Sequence, residues 1–226
     1  MQTGYFITGT DTGAGKTLCS LALMEALKKQ GLTVAGMKPV AAGCYQTAEG
    51  LRNDDAEKLL KASSRPLAYD LINPYAFEPP IAPHIAAEQR GVEIKISQIQ
   101  QHYNALSIQV DRVIVEGAGG WLVPINAYQT LADVACALQL PIIMVVGMRL
   151  GCINHAMLTY NSIQATGIKI VAWIANQVDG DMAVLTENVD YLASRFDAPL
   201  LGLIPYASSP SPNCASMHLD IGQLNT

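Results

Sequence analysis

Aromatic residues make up only 6% of this 226-residue chain and charged residues only 15%. Two tryptophans, three phenylalanines and nine tyrosines form no stripe on which nucleic acid bases could stack. Basic residues form no run, and the net charge is −5. That balance argues against nucleic acid or an anionic membrane as the main partner and leaves a small ligand open. Cys19, Cys44, Cys136, Cys152 and Cys214 are scattered, with no CxxC pair. They read as reduced thiols rather than a disulfide frame or zinc site. His84, His102, His155 and His218 have no metal-ligand spacing, and His155 fits a packed core histidine equally well. There is no nucleophilic serine elbow and no Cys–His constellation. No apolar run reaches the roughly 18 residues of a membrane span. The start, Met1-Gln2-Thr3, leads directly into strand-like residues, without a basic segment or signal-type apolar core. The expectation is a cytoplasmic protein. With so little charge, much of the helix surface is expected to be covered, another subunit being one candidate.

What is present is core material: half the residues are hydrophobic, enough for one large domain spanning 1–226. Short apolar or β-branched runs occupy 4–8, 33–37, 112–117, 141–147, 168–176 and 199–205. Helical periodicity fills 16–30, 54–62, 96–109, 131–138, 154–165 and 183–195. Buried runs alternating with helices predict an α/β fold, a parallel sheet with crossover helices. The Ser-Pro-rich end, from about 206 to 226, reads as irregular. Ligands of such sheets bind beyond the carboxyl ends of the strands. Five loops lie there: "TGTDTGAGKT", "KPVAAG", "EGAGG", "GMRLGCINH" and "NQVDGD".

The first of these nearly spells a phosphate loop, Gly, four residues, then Gly-Lys-Ser/Thr. Gly15, Lys16 and Thr17 comply, but the leading glycine, Gly9, stands one residue early. The chemistry survives the insertion. Gly13 and Gly15 let backbone N–H groups approach an anion, Lys16 supplies a cation and Thr17 a hydroxyl for Mg²⁺. The alternative is a turn that is glycine-rich only for sterics.

Magnesium on a nucleotide takes one or two carboxylates besides a hydroxyl. Glu116 ends an apolar strand at the sheet mouth, followed by Gly117, Gly119 and Gly120, which leave room for a ligand. Asp54 and Asp55 begin a helix, where metal ligation and simple capping are both open. Lys38 ends the second strand, as a poised cation or an ordinary surface lysine.

Together these loops resemble the dethiobiotin synthetase family. The carrying segments are "YFITGTDTGAGKT", "AGMKPVAAG", "GLRNDDA", "NPYAF…PPIAPHIAA", "VEGAGGWLVP", "VVGMRLGCINHAMLT", "ANQV" and "PLLGLIP", in order along nearly the whole chain. The loop with one extra residue is the family's own form. The resemblance implies a homodimeric, three-layer P-loop NTPase-like fold with helices on both faces. The implied activity converts 7,8-diaminononanoate, CO₂ and MgATP into dethiobiotin, ADP and phosphate, through a carbamate and a carbamic–phosphoric anhydride. Lys16 and Lys38 are then catalytic, and Thr17, Asp55 and Glu116 ligate Mg²⁺. ATP contacts fall on Thr12, Gly13, Ala14, Gly15, Lys16 and Thr17, on Asp55, on Glu116, Gly117, Ala118 and Gly119, on Asn176 and Gln177, and on Pro205, Tyr206 and Ala207. Substrate contacts fall on Lys38 and on Leu150, Gly151, Cys152, Ile153 and Asn154. That last segment is expected to precede a helix starting near Asn154 and to offer free N–H groups to a carboxylate at the subunit interface.

Three positions depart from the family pattern. Gly13 stands where relatives carry an acidic residue, Ala42 where a hydroxyl meets the substrate, and Pro212 where a carboxylate meets the nucleotide. A rival reading is a dimeric P-loop switch of the partitioning-ATPase kind. Such proteins carry an early loop lysine, and Thr10 and Asp11 stand there instead. A synthetase coupled to a glutaminase domain is a second rival, and 226 residues are expected to leave no room for that domain.

Overall fold

The computed structural model describes residues 4–225. From the N-terminus, β1 (Gly4–Gly9) leads through α1 (Lys16–Lys29) to β2 (Val34–Met37). Then come β3 (Val40–Ala42), β4 (Tyr45–Thr47), β5 (Gly50–Arg52), α2 (Asp54–Ala62), α3 (Tyr69–Ile72) and β6 (Tyr75–Phe77). Next are α4 (Pro83–Gln89), α5 (Ile96–Ser107), β7 (Arg112–Glu116), α6 (Leu131–Leu138), β8 (Ile142–Met148) and α7 (Cys152–Gln164). The chain closes with β9 (Ile170–Gln177), α8 (Leu185–Ala193), β10 (Leu200–Ile204), α9 (Pro212–Ser216) and a 3-10 helix, Ile221–Asn225.

Six strands form one parallel sheet in the order β10-β9-β8-β1-β7-β2. The step from β1 to β2 runs toward one edge, and the steps from β7 through β10 run toward the other. Right-handed crossovers therefore put α1 on one face and α6, α7 and α8 on the opposite one. The order reverses at β1, so the carboxyl ends of β1, β7 and β8 open the crevice where such sheets take ligands. Every residue of β8 is buried, as a strand covered on both faces must be. Trp173 on β9 packs edge-on to Phe196, which stacks on Tyr160 of α7 at 4.4 Å.

Helices α2 and α6 coincide with the periodic stretches 54–62 and 131–138. Helix α7 starts at Cys152, two residues before the expected start, because Gly151 takes the left-handed conformation, φ 91°, and caps it. The end of the chain is not irregular throughout. Pro212 opens α9 at a position where its fixed φ suits a helix start. Gly202 leaves space for the His218 carbonyl where a Cβ would overlap it, and Asp220 N–H donates to the Leu201 carbonyl at 2.7 Å. Together α9 and the 3-10 helix lie against α1. This explains why α1 is buried nearly all round: the expected cover, for which another subunit was one candidate, is supplied there by the chain's own tail.

Candidate active site

Gly13 and Gly15 both adopt positive φ, 84° and 88°, and turn the chain from β1 into α1. A side chain at Gly15 would collide with the Asn176 amide, which donates to the Ala14 carbonyl at 3.0 Å. The end of β9 thereby braces the loop. Thr12 and Gly13 are exposed, while Lys16 is buried with its ammonium on the Asp11 carbonyl at 2.9 Å. Asp11 is also paired with Arg149 from the turn after β8. Burial, with the nearby Lys38 charge, brings Lys16 down to about 8, against the raising pull of Glu116 and Asp55. An ammonium so poorly solvated is ready to receive an anion.

Sheet register builds the second half of the site. Met37 pairs with Val115, and Ile7 pairs with Glu116, so the ends of β2, β7 and β1 stand side by side. Lys38 Nζ reaches Glu116 Oε1 at 2.5 Å, Asp55 Oδ2 at 3.3 Å and the Gly117 carbonyl at 3.2 Å. Thr17 donates to the same Glu116 Oε1 at 2.8 Å. Glu116 is fully buried, and its Oε2 has no partner. Burial alone would lower the Lys38 pKa, but the Glu116 and Asp55 carboxylates outweigh it and raise it above the ordinary lysine value. Asn53, and neither aspartate, takes the cap of α2. Its side chain accepts from the N–H groups of Asp55 and Ala56. Asp55 is spared that task and turns toward Lys38. Gly36 makes this possible, since a Cβ there would stand 2.7 Å from Leu59 and push α2 off β2.

A cavity of about 540 Å³ opens onto this cluster. Thr12, Lys38, Asp55, Ala118 and Gly119 line one side, and Ala42, without a hydroxyl, lines another. Pro80, Ile81, Ala82, Pro83, Val123 and Pro124 form a largely apolar wall. Sequence reasoning missed that wall and Asn53; the proline spacing of "PPIAP" was the available signal. Asn176 and Gln177 sit at the end of β9, and Gln177 accepts from the Tyr206 N–H at 3.2 Å. Pro205, Tyr206 and Ala207 are exposed beside them.

Leu150, Gly151, Cys152, Ile153 and Asn154 do not line the cavity within one chain. Leu150 is 98% exposed and Cys152 is buried. The N–H of Cys152 is already bonded to the Arg149 carbonyl at 3.0 Å, so it is not free for a ligand as expected. His155 is exposed rather than packed in the core. All five cysteines are unpaired. No helix among the described residues is long and apolar enough to cross a membrane.

A glycine loop between β1 and α1, a buried Lys16 and a carboxylate cluster at the sheet mouth define a P-loop nucleotide-binding protein. An AAA domain family matches residues 3–213. The ATP-dependent dethiobiotin synthetase BioD of Cellvibrio japonicus is 50% identical over 220 residues, 97% of this chain and 96% of that protein. The enzyme of the same name from Nitrosospira multiformis is 49% identical over 224 residues, covering 99% and 97%. The chain belongs to the ATP-dependent dethiobiotin synthetase family. Among solved structures, the MinC:MinD cell division protein complex of Aquifex aeolicus matches with TM-score 0.56 at 19% identity, covering 94% of this chain and 86% of that one. The signal recognition particle receptor FtsY from Elizabethkingia anophelis matches with TM-score 0.55 at 17% identity, covering 99% of this chain but 64% of the FtsY chain. These two likenesses establish the fold alone.

Proposed function

We propose that this chain is a ligase that joins 7,8-diaminononanoate and CO₂ at the expense of ATP, giving dethiobiotin, ADP and phosphate. The observation that carries the reading is the meeting of Lys38, Asp55, Glu116 and Thr17 beside the phosphate loop, with Lys38 and Asp55 lining the cavity. An uncharged amine takes up CO₂ to give a carbamate, an anion that Lys38 stabilises together with Lys16. The carbamate oxygen attacks the γ-phosphate, and the second amine then closes the urea ring and releases phosphate. Such a route needs orientation and charge, not a protein nucleophile.

Thr17, Asp55 and Glu116 suit Mg²⁺, a hard cation that prefers oxygen and shares its sites with phosphates and water. The unpartnered Glu116 Oε2 supports this assignment, since a buried acceptor without a partner costs about 1–3 kcal/mol. Mg²⁺, when bound, neutralises phosphate charge. Asp55 and Glu116, with Thr17, would hold it, while the Lys38 ammonium beside them faces the carbamate. The loop residues Thr12 to Thr17, with Glu116 to Gly119, cradle the phosphates. Asn176, Gln177 and Pro205 to Ala207 receive the base.

The apolar wall of Pro80 to Pro83 suits the aliphatic chain of the substrate. We assign residues 1–226 to one domain, in a cytoplasmic homodimer. The exposed Leu150, Leu122 and Leu158 favour a second copy as cover, with Leu150 to Asn154 reaching the substrate of the other protomer. Purified chain supplied with diaminononanoate, bicarbonate and MgATP should form dethiobiotin. Absence of product, with ATP hydrolysed only in response to a protein partner, would instead support the switch reading. Sedimentation of the active species reports the dimer.

A further inference from the structure

We infer that Asn53, Tyr69 and Asn73 are positioning residues of the reaction, forming a buried hydrogen-bond chain that fixes where Lys38 and Asp55 stand relative to each other. The inference rests on the roles given to those two residues above.

The chain begins at Asn73, whose Nδ2 donates to the Lys38 carbonyl at 2.7 Å and to the Tyr75 carbonyl at 3.2 Å. The Lys38 N–H donates to the Ile72 carbonyl at 2.7 Å, so the backbone of Lys38 is held on both sides. Tyr69 Oη donates to Asn73 Oδ1 at 3.0 Å and accepts the Asn53 N–H at 2.8 Å. Asn53 Oδ1 then accepts from the N–H groups of Asp55 and Ala56 at 3.1 and 3.3 Å, while its Nδ2 faces the Ala42 carbonyl at 3.4 Å. All three side chains are buried, and each polar atom of theirs in the chain has a partner. The Arg52 guanidinium lies over the face of the Tyr69 ring, 4.1 Å from its centre.

The direct Lys38–Asp55 contact cannot fix the geometry. It is 3.3 Å long, and the Asp55 side chain is 38% exposed, so solvent weakens its hold. Between the two residues the backbone detours through β3, β4 and β5, which gives no short covalent tie. The buried chain supplies the tie, and Ala42 on the cavity wall is attached to it as well. Burial pushes the Tyr69 hydroxyl up to about 12, so it remains a donor throughout the working pH range.

The test uses the full chain with Tyr69→Phe and Asn73→Ser, each also combined with Asp55→Asn. The readouts are kcat, KM for ATP at saturating Mg²⁺, the Mg²⁺ concentration for half-maximal rate, and the melting temperature. Loss of a group that orients a metal ligand should raise the Mg²⁺ requirement about tenfold, with KM for ATP within about twofold of wild type. In the Asp55→Asn background the same substitutions should add less than about twofold, the sign of a shared pathway. An unchanged Mg²⁺ requirement in both variants, or an equal fold increase with and without Asp55, overturns the inference. If Tyr69→Phe does not fold, Asn73→Ser decides the matter. Asn53→Asp, which keeps the capping acceptor, should recover activity relative to Asn53→Ala; equal loss in the two also overturns it. Wild type that forms no dethiobiotin overturns the functional reading first, and this inference with it.

Discussion

The phosphate loop and the Lys38 cluster meet at Thr17 and Glu116, yet they are built on opposite plans. In the loop, consecutive residues do everything: glycines give the left-handed turns, and Lys16 and Thr17 follow at once. In the cluster, a strand end, a helix start and another strand end contribute one residue each, and Glu116 stands 78 positions from its partner Lys38. The loop relies on glycine backbone freedom and holds a poorly solvated ammonium. The cluster is a buried charge network whose members neutralise one another. A loop of the first kind tolerates the loss of a side chain and keeps its shape. A network of the second kind fails in structure as well as in activity.

The largest effect that sharpens this contrast is expected from Lys16→Ala. Turnover should drop by about 10²–10³ or more, as when a group stabilising transition-state charge is removed. Stability should hold or rise, because the ammonium is buried at a cost. A melting point well below wild type would break the comparison. Lys38→Ala should lose both properties. It strands the fully buried Glu116, and breaking such a pair costs about 3–5 kcal/mol. Adding Glu116→Gln should recover stability but not dethiobiotin formation, as urea melts and product assays would record.

Asp55→Asn should come next. With its side chain 38% exposed, the cost in stability should stay below about 1 kcal/mol, while the Mg²⁺ requirement rises clearly. A pH series on the ligand-free protein gives a smaller signal. The Lys16 pKa is about 8 when folded and 10.5 ordinarily. Between those values the unfolded chain binds more protons, so this group adds stability as the pH rises through the window. Lys38, raised instead, adds stability that is full below its ordinary value and lost above its folded one. Lys16→Met should therefore flatten a rise in urea midpoint between about pH 8 and 10; an unchanged slope would contradict the burial argument. The smallest effect is expected from Ala42→Ser, which returns a hydroxyl to the cavity wall. One added hydrogen bond should lower KM for diaminononanoate by about two- to tenfold, with KM for ATP unmoved.

Legibility followed the same divide. The six main strands, the long helices and the residues of the loop stand in the sequence because each rests on local pattern: apolar runs, 3.6-residue periodicity, glycines at fixed offsets. The three-residue strands β3 and β6 escape such reading, since Val40 pairs with Tyr75 and neither segment is long enough to show a period. The N-cap of α2 was open between functional and capping aspartates until Asn53 was seen to take the cap.

By itself, the sequence determined the class of sheet, the anion-binding turn and the identity of the charged groups near it, because all of these arise from short-range geometry and from residue chemistry. Only the tertiary structure decided that Lys38 pairs with Glu116, since strand register sets that distance. It also decided that the tail covers α1, because Gly202 and the His218 carbonyl must meet across the fold. Asn53, Tyr69 and Asn73 could be placed in one chain only there: a hydrogen bond needs its partners within about 3 Å, and sequence spacing carries no such distance.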